Sequence, residues 1–210
     1  GSLSWQTAAS VTVSGTGSTD AGGSALSGYQ YRTSTDNGAT WGSATSGSSV
    51  SVTAEGETLV QYRSVDGAGN TSAWTPASSG ASNTVRIDRT APTAPTVSGG
   101  SLSWQSVASV TVSATGSTDT GGSALSGYQY RTSTDNGTTW GSATSGTSVA
   151  ITAEGTTIVQ FRALDNAGNA GAWAPVSATS GSTVKLDRTA PTAPTVSGGS
   201  TSWLNQASTT

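Results

Sequence analysis

Polar and apolar residues alternate along this chain in short runs, and Gly, Ser, Asp or Asn punctuates the gaps between them. In the first hundred residues the runs are Ser2–Trp5, Ser10–Ser14, Gly28–Thr33, Thr40–Ala44, Ser49–Ala54, Thr58–Val65 and Ser82–Asp88. A period of two places successive side chains on opposite faces of an extended strand. Runs this short, separated by turn residues, predict an all-β domain. Abundant Thr and Val point the same way, because β-branched side chains suit a pleated surface.

The pattern then repeats. Gly1-Ser2-Leu3-Ser4-Trp5-Gln6 recurs as Gly100-Ser101-Leu102-Ser103-Trp104-Gln105, and the register holds without a gap through the second copy. Of the 99 positions in the repeat, 74 are identical in the two copies. A repeat of this length is one domain. A third copy opens at Gly199-Ser200-Thr201-Ser202-Trp203 and stops at Thr210. Copies are joined by Asp88-Arg89-Thr90-Ala91-Pro92-Thr93-Ala94-Pro95-Thr96, repeated at Asp187 to Thr195. Closely spaced prolines favour an extended, semi-rigid connection. The expected organisation is repeat 1 over residues 1–90 without its leader strand, repeat 2 over 91–189, and a linker with a truncated first strand over 190–210. The unfinished third copy has two readings. The chain is a window on a longer array, or its last strand completes the first domain of a neighbouring molecule by strand addition.

Differences between the copies orient the strands. Tyr62 becomes Phe161 and Ser64 becomes Ala163, so that face is expected to point inward, with Gln61 and Arg63 outward. Tyr29 and Tyr31 share a face, which leaves Gln30 and Arg32 on the other. If these two strands pair, an Arg/Gln ladder lies on the outer face. Seven strands in about 100 residues is the size of an immunoglobulin or fibronectin type III sandwich. The fold class read from the chain is therefore all-β, as tandem seven-stranded immunoglobulin-like β-sandwiches joined end to end.

Composition removes several functions. Charged residues make up 9 % of the chain and apolar ones 32 %, so hydroxyl groups carry its solubility. Such Gly/Ser/Thr richness also suits a disordered linker, but seven Trp and five Tyr set in alternating runs argue for packed strands. The net charge of −3 and the absence of a basic stripe give no electrostatic footprint for nucleic acid. No run reaches the ~18 apolar residues of a membrane span. Cys and His are absent, which removes thiolate chemistry, disulfides and the commonest general base and zinc ligand.

Two stretches resemble known families. Ala54-Glu55-Gly56-Glu57-Thr58-Leu59-Val60-Gln61-Tyr62-Arg63-Ser64-Val65-Asp66-Gly67-Ala68-Gly69-Asn70, its partner from Ala153 to Asn169, and the Asp88-Arg89-Thr90-Ala91-Pro92 joint resemble bacterial immunoglobulin-like repeats. The resemblance covers both full copies. It implies a secreted or surface bacterial protein in which such modules serve as stalks, adhesin segments or accessory domains of polysaccharide enzymes. The second stretch, Ser34-Thr35-Asp36-Asn37-Gly38-Ala39-Thr40-Trp41, recurs from Ser133 to Trp140 and resembles the Asp-box of sialidases. The residues that matter are Ser34, Asp36, Gly38 and Trp41, with Ser133, Asp135, Gly137 and Trp140. One such box per repeat, without the Arg triad and Tyr nucleophile of a sialidase, reads as a structural hairpin clasp closed by a carboxylate and an Asn-Gly turn.

No catalytic residue is expected. The carboxylates recur in both copies, except Glu57, as turn residues would, and a small sandwich offers no cleft in which two could face each other. In this strand order Asp119 and Asp165 of repeat 2 lie at the pole that receives repeat 1, while Glu55 and Asp88 lie at the facing pole. Glu55, Asp88, Asp119 and Asp165 are thus candidate ligands of an inter-domain calcium ion, the one cofactor considered. Arg89 in the same joint is the competing partner for Asp119 or Asp165. Trp74 and its counterpart Trp173, after the Asn turns, are the aromatic residues available to a ligand; Trp5 and Trp41 are expected in the core. The sequons Asn70-Thr71-Ser72 and Asn136-Gly137-Thr138 each occur in one copy only.

The functional expectation is an extracellular structural segment, a stiff stalk, adhesin shaft or filament whose partners are further copies of itself. The alternative is an accessory module that binds polysaccharide or a host surface.

Overall fold

The computed structural model describes residues 1–199. The strand expected in the third copy lies beyond them. All regular structure among these residues is β. Repeat 1 contains β1 (Val11–Ser14), β2 (Leu26–Ser34), β3 (Thr45–Ser46), β4 (Ser49–Val52), β5 (Gly56–Asp66) and β6 (Thr84–Ile87). Repeat 2 contains β7 (Thr96–Ser98), β8 (Val110–Thr115), β9 (Leu125–Ser133), β10 (Thr144–Ser145), β11 (Ser148–Ile151), β12 (Gly155–Asp165) and β13 (Thr183–Leu186).

Each repeat makes two sheets. In repeat 2 these are β11-β8-β7 and β10-β9-β12-β13, and every ladder is antiparallel. Repeat 1 has β1-β4 and β3-β2-β5-β6. This order is that of an immunoglobulin-like sandwich of the fibronectin III type. Among the described residues no ladder crosses between the repeats.

Alternation builds the core. Along β8, Val110, Val112 and Ala114 point inward while Thr111 and Thr115 face solvent. Val112 and Ala114 pack with Ile151, Val159, Phe161, Val184 and Leu186. Repeat 1 has the matching cluster of Val13, Val52, Val60, Tyr62, Val85 and Ile87. Each fully buried aliphatic side chain contributes roughly 1.5–3 kcal/mol. The expected pairing of β2 with β5 is present: Gln30 lies opposite Arg63, and Arg32 opposite Gln61.

The copies differ at one interlocked site. The Tyr62 hydroxyl donates to the Val13 carbonyl at 2.6 Å, which anchors the ring. A Cβ on Gly15 would lie 2.5 Å from that ring. Repeat 2 has Phe161 and Ala114 at these positions. Without a hydroxyl to anchor it, the Phe ring leaves room for the alanine.

Three expectations are corrected. Ser2–Trp5 is not a strand. The Ser2 hydroxyl accepts the Ser4 N–H at 3.1 Å and bends the chain, and only Gln6 bridges in parallel to Ile87. Thr40–Ala44 is also irregular, because the Gly42 N–H turns back to the Thr33 carbonyl at 2.9 Å. Pairing with β2 falls instead to Thr45–Ser46. Lastly, Gln61 is on the outer face yet is 5 % exposed. Thr75 pairs with Tyr62 beside β5, and the chain around Pro76 then covers that face.

Candidate functional site

The hairpin after β2 is held by side chains. Asn37 and Gly38 take positive φ values of 56° and 85°, a conformation favoured by Asn and Gly. The Ser34 hydroxyl donates to Asp36 at 2.6 Å and accepts the Gly38 N–H at 2.9 Å. Asp36 also accepts the Thr40 N–H at 2.9 Å. These donors hold the Asp36 carboxyl at about 2, with the Ser34 hydroxyl as the largest cause. Asp135 is held at about 2 as well, chiefly by the Thr139 hydroxyl. Ser133, Gly137 and Trp140 repeat the arrangement. Every oxygen of Asp36 is spent on the turn, so this carboxylate acts as a clasp.

A cation–π stack covers the outer face of the larger sheet. The Arg32 guanidinium lies 4.7 Å from the Trp41 ring centre and 4.4 Å from that of Trp74, and Arg63 lies 4.6 Å from Trp74. Arg131, Arg162, Trp140 and Trp173 form the same stack in repeat 2. The ladder supplies the hydrogen bonds: Gln61 accepts from Arg32 at 2.7 Å and donates to the Pro76 carbonyl at 2.7 Å. Trp74 and Trp173 are thus half-buried over paired arginines. Beside the stack in repeat 2 runs a groove of about 700 Å³ lined by Arg131, Asn136, Trp140 and Trp173. The matching groove in repeat 1 is about 260 Å³.

The two repeats meet around Asp88, the residue that follows β6. It is fully buried, although it sits in a linker. One carboxylate oxygen accepts the Thr90 N–H at 3.0 Å, and the other accepts the Ser123 N–H of repeat 2 at 3.0 Å. The Asp88 carbonyl accepts from the Asn169 side chain at 3.0 Å. Glycine at 121 leaves room for Asp88, because a Cβ at that position would overlap the Asp88 carboxylate. Trp5 packs against Gly122, with a ring carbon 3.1 Å from where a Cβ would stand. The linker continues the contact: the Thr93 N–H donates to the Thr118 carbonyl at 2.9 Å, and Pro92 and Pro95 are buried.

Of the four carboxylates proposed as calcium ligands, the structure brings three together. Oxygens of Asp88, Asp119 and Asp165 lie within 4.8 Å of one another. Glu55 stands apart. It accepts from Arg89 Nε at 3.1 Å and from the Thr90 hydroxyl at 2.7 Å, and these donors, the Thr90 hydroxyl foremost, lower its carboxyl. Arg89 spends its other donors on the Ala9 and Thr53 carbonyls, so it pairs with neither Asp119 nor Asp165. The same latch exists at Glu154, Arg188 and Thr189.

Comparing the poles isolates what the joint does. Asp187, the counterpart of Asp88, is exposed. Trp104, the counterpart of Trp5, is 59 % exposed. Gly22 and Gly23, the counterparts of Gly121 and Gly122, have no neighbour from another repeat. The sequence placed the Asp165–Asn169 loop at this pole, but the part played there by the Gly121-Gly122-Ser123 loop and Trp5 was not read from it. The loop's signal was present as a Gly-Gly-Ser triplet in both copies.

No family model matches this chain, and no curated protein sequence matches it. Among solved structures, it is similar to the fibronectin(III)-like modules of CbhA from Clostridium thermocellum, at 15 % identity over 88 % of this chain and 88 % of that one, with a TM-score of 0.35. It is also similar to the FN1–FN3 domains of chicken CNTN1, at 16 % identity over 70 % of this chain and 54 % of that one, TM-score 0.30. A cytokine receptor complex gives 16 % identity over 84 % and 93 %, TM-score 0.34. At these values the likeness carries no argument of its own. The assignment to the fibronectin III-like sandwiches rests on the strand order within each repeat.

Proposed function

We propose that this chain is a non-catalytic structural segment of an extracellular protein, in which near-identical sandwiches stack end to end as a stiff spacer. The observation that carries the reading is Asp88, a linker residue wholly buried beneath the Gly121-Gly122-Ser123 loop of the next repeat. A tether between independent domains leaves its polar groups to water. Here Asp88, Thr93 and both prolines are instead engaged by the neighbouring domain or shielded from solvent, which opposes swinging about the linker. Near-identity of the copies supports the same conclusion, since a spacer gains from regularity where binding domains would diverge. The partners in this reading are further copies of the repeat, along one polypeptide or in a filament.

Small-angle scattering tests stiffness. The expected pair-distance distribution has a resolved inter-domain peak that broadens in Asp88→Ala. A distribution already broad in the unaltered chain would sink the reading. For a shaft or filament, electron microscopy of the source should show a repeat of roughly 40 Å, one domain length.

The groove beside Trp140 and Trp173 favours a second reading, a module that takes polysaccharide or a host surface. Binding on a glycan array that is lost in Trp173→Ala would support it over a bare spacer.

A further inference from the structure

We propose that Asp88, Asp119 and Asp165 together bind one hard divalent cation, calcium by preference, and that the site exists only where two repeats join; this deepens the spacer reading above. Two of the three carboxylates are sequestered: Asp88 is 0 % exposed and Asp165 3 %. Their oxygens and one of Asp119 lie within 4.8 Å of one another. Three like charges that close, largely out of water, repel strongly unless something opposite lies among them. No protein cation does so. Arg89 is turned to Glu55, and the ion pairs among the described residues are Arg86–Glu57, Arg89–Glu55 and Arg188–Glu154.

N–H donors hold two of the three carboxylates in place. Asp88 accepts N–H groups from Thr90 and Ser123. Asp165 accepts the Asn169 N–H and side-chain amide, each at 2.8 Å. No carboxyl–carboxyl hydrogen bond links the three. The second, independent sign of a ligand is Asp119 itself. Its Oδ1 accepts the Gly121 N–H at 3.2 Å, while its Oδ2 is buried without any hydrogen-bond partner. A buried carboxylate oxygen without a donor is costly, and a metal ion in the cluster supplies the missing partner.

All the ligand atoms are oxygens, with no imidazole or thiolate in the chain, which selects a hard ion. Calcium tolerates irregular coordination by six to eight oxygens and takes the remainder from water. Repeat 1 contributes Asp88, and repeat 2 contributes Asp119 and Asp165. At the outer pole of repeat 1, Asp20 and Asp66 lack a third carboxylate from another repeat, and Asp187 is exposed at the far end. Among the described residues there is therefore one such site.

Isothermal titration of the metal-stripped full chain with calcium chloride tests this. The expected result is one ion per chain, a melting temperature that rises with calcium, and reversal by EGTA. Asp119→Asn should weaken binding at least tenfold, while Asp20→Asn, at the counterpart position of repeat 1, should leave it unchanged. Terbium gives a local readout that does not depend on the Asp119 variant folding. Trp5 packs on Gly122 beside the site, so Trp-sensitised terbium emission should appear, be displaced by calcium, and fall in Trp5→Phe but not in Trp104→Phe. No heat and no melting shift would overturn the proposal, as would several weak ions per chain or equal losses in Asp119→Asn and Asp20→Asn. If scattering shows a stiff pair of domains and titration shows no binding, the cation fails and the spacer reading stands. If calcium binds but the domains swing freely, the spacer reading fails instead.

Discussion

Adding a single methyl group at Gly121 should open the joint, while the same change 99 residues earlier should do nothing. In Gly121→Ala the new Cβ would overlap the Asp88 carboxylate. Gly121 has no positive φ, so the alanine backbone itself is unstrained. Either the carboxylate leaves or the loop moves, and in both cases the 3.0 Å bond from the Ser123 N–H to Asp88 breaks. A charge-assisted hydrogen bond is worth about 1.5–3 kcal/mol, and overpacking costs about 1–3 kcal/mol. An effect of about 2 kcal/mol corresponds to a roughly 30-fold larger open population, since 1.4 kcal/mol is a factor of about ten. Amide hydrogen exchange read residue by residue is the direct assay, because the Ser123 N–H is both the donor and buried at the joint. Its protection should fall by about that factor in Gly121→Ala. The counterpart Gly22→Ala puts its Cβ 3.2 Å from the side chain of its own Asp20 and touches no other repeat, so Ser123 protection should be unchanged. Full protection of Ser123 in Gly121→Ala would show that Asp88 does not hold the repeats together.

Other substitutions examine the sandwich itself. Gly15→Ala alone should destabilise repeat 1 by about 1–3 kcal/mol, and Tyr62→Phe alone by about 1 kcal/mol. The double variant, which copies Ala114 and Phe161, should lose at least ~1 kcal/mol less than the sum in urea unfolding. Trp74→Ala removes the ring stacked on Arg32 and Arg63 and should cost about 2–3 kcal/mol, whereas Trp104→Ala at an exposed site should stay within about 0.5 kcal/mol. Asp36 and Asp135 have carboxyls at about 2 in the folded state, below the ordinary value of 3.8. Depressed acids stabilise the fold above their unfolded value, and that contribution is lost as pH falls from about 4 to 2. Thermal melts should decline across that window, and less steeply in Asp36→Asn with Asp135→Asn.

Much of this molecule was legible in the chain. The two-residue period predicted the short strands, and the exchange of Tyr62 for Phe161 identified the inner face of the central strand. Asp36, an Asn-Gly turn and Trp41 form a contact within eight residues, so local chemistry alone was enough to read the clasp. Where the sequence misled, a distant segment had intervened. Gln61 points outward as its position in the strand requires, but the chain around Pro76 covers it, and nothing near residue 61 encodes that. Arg32 and Arg63 could be placed on one face; that Trp74 lies across both followed only from the pairing of Thr75 with Tyr62. The joint shows the division most sharply. The sequence determined that two closely similar modules are linked by a proline-stiffened segment with carboxylates around it. Tertiary structure decided which carboxylates meet. Glu55 and Asp88 are both carboxylates and both were placed at the facing pole, yet Glu55 is held by Arg89 and Thr90 of its own repeat while Asp88 is enclosed by the next. Side-chain type sets what a residue can bind, and only the packing of one domain on another sets what it meets.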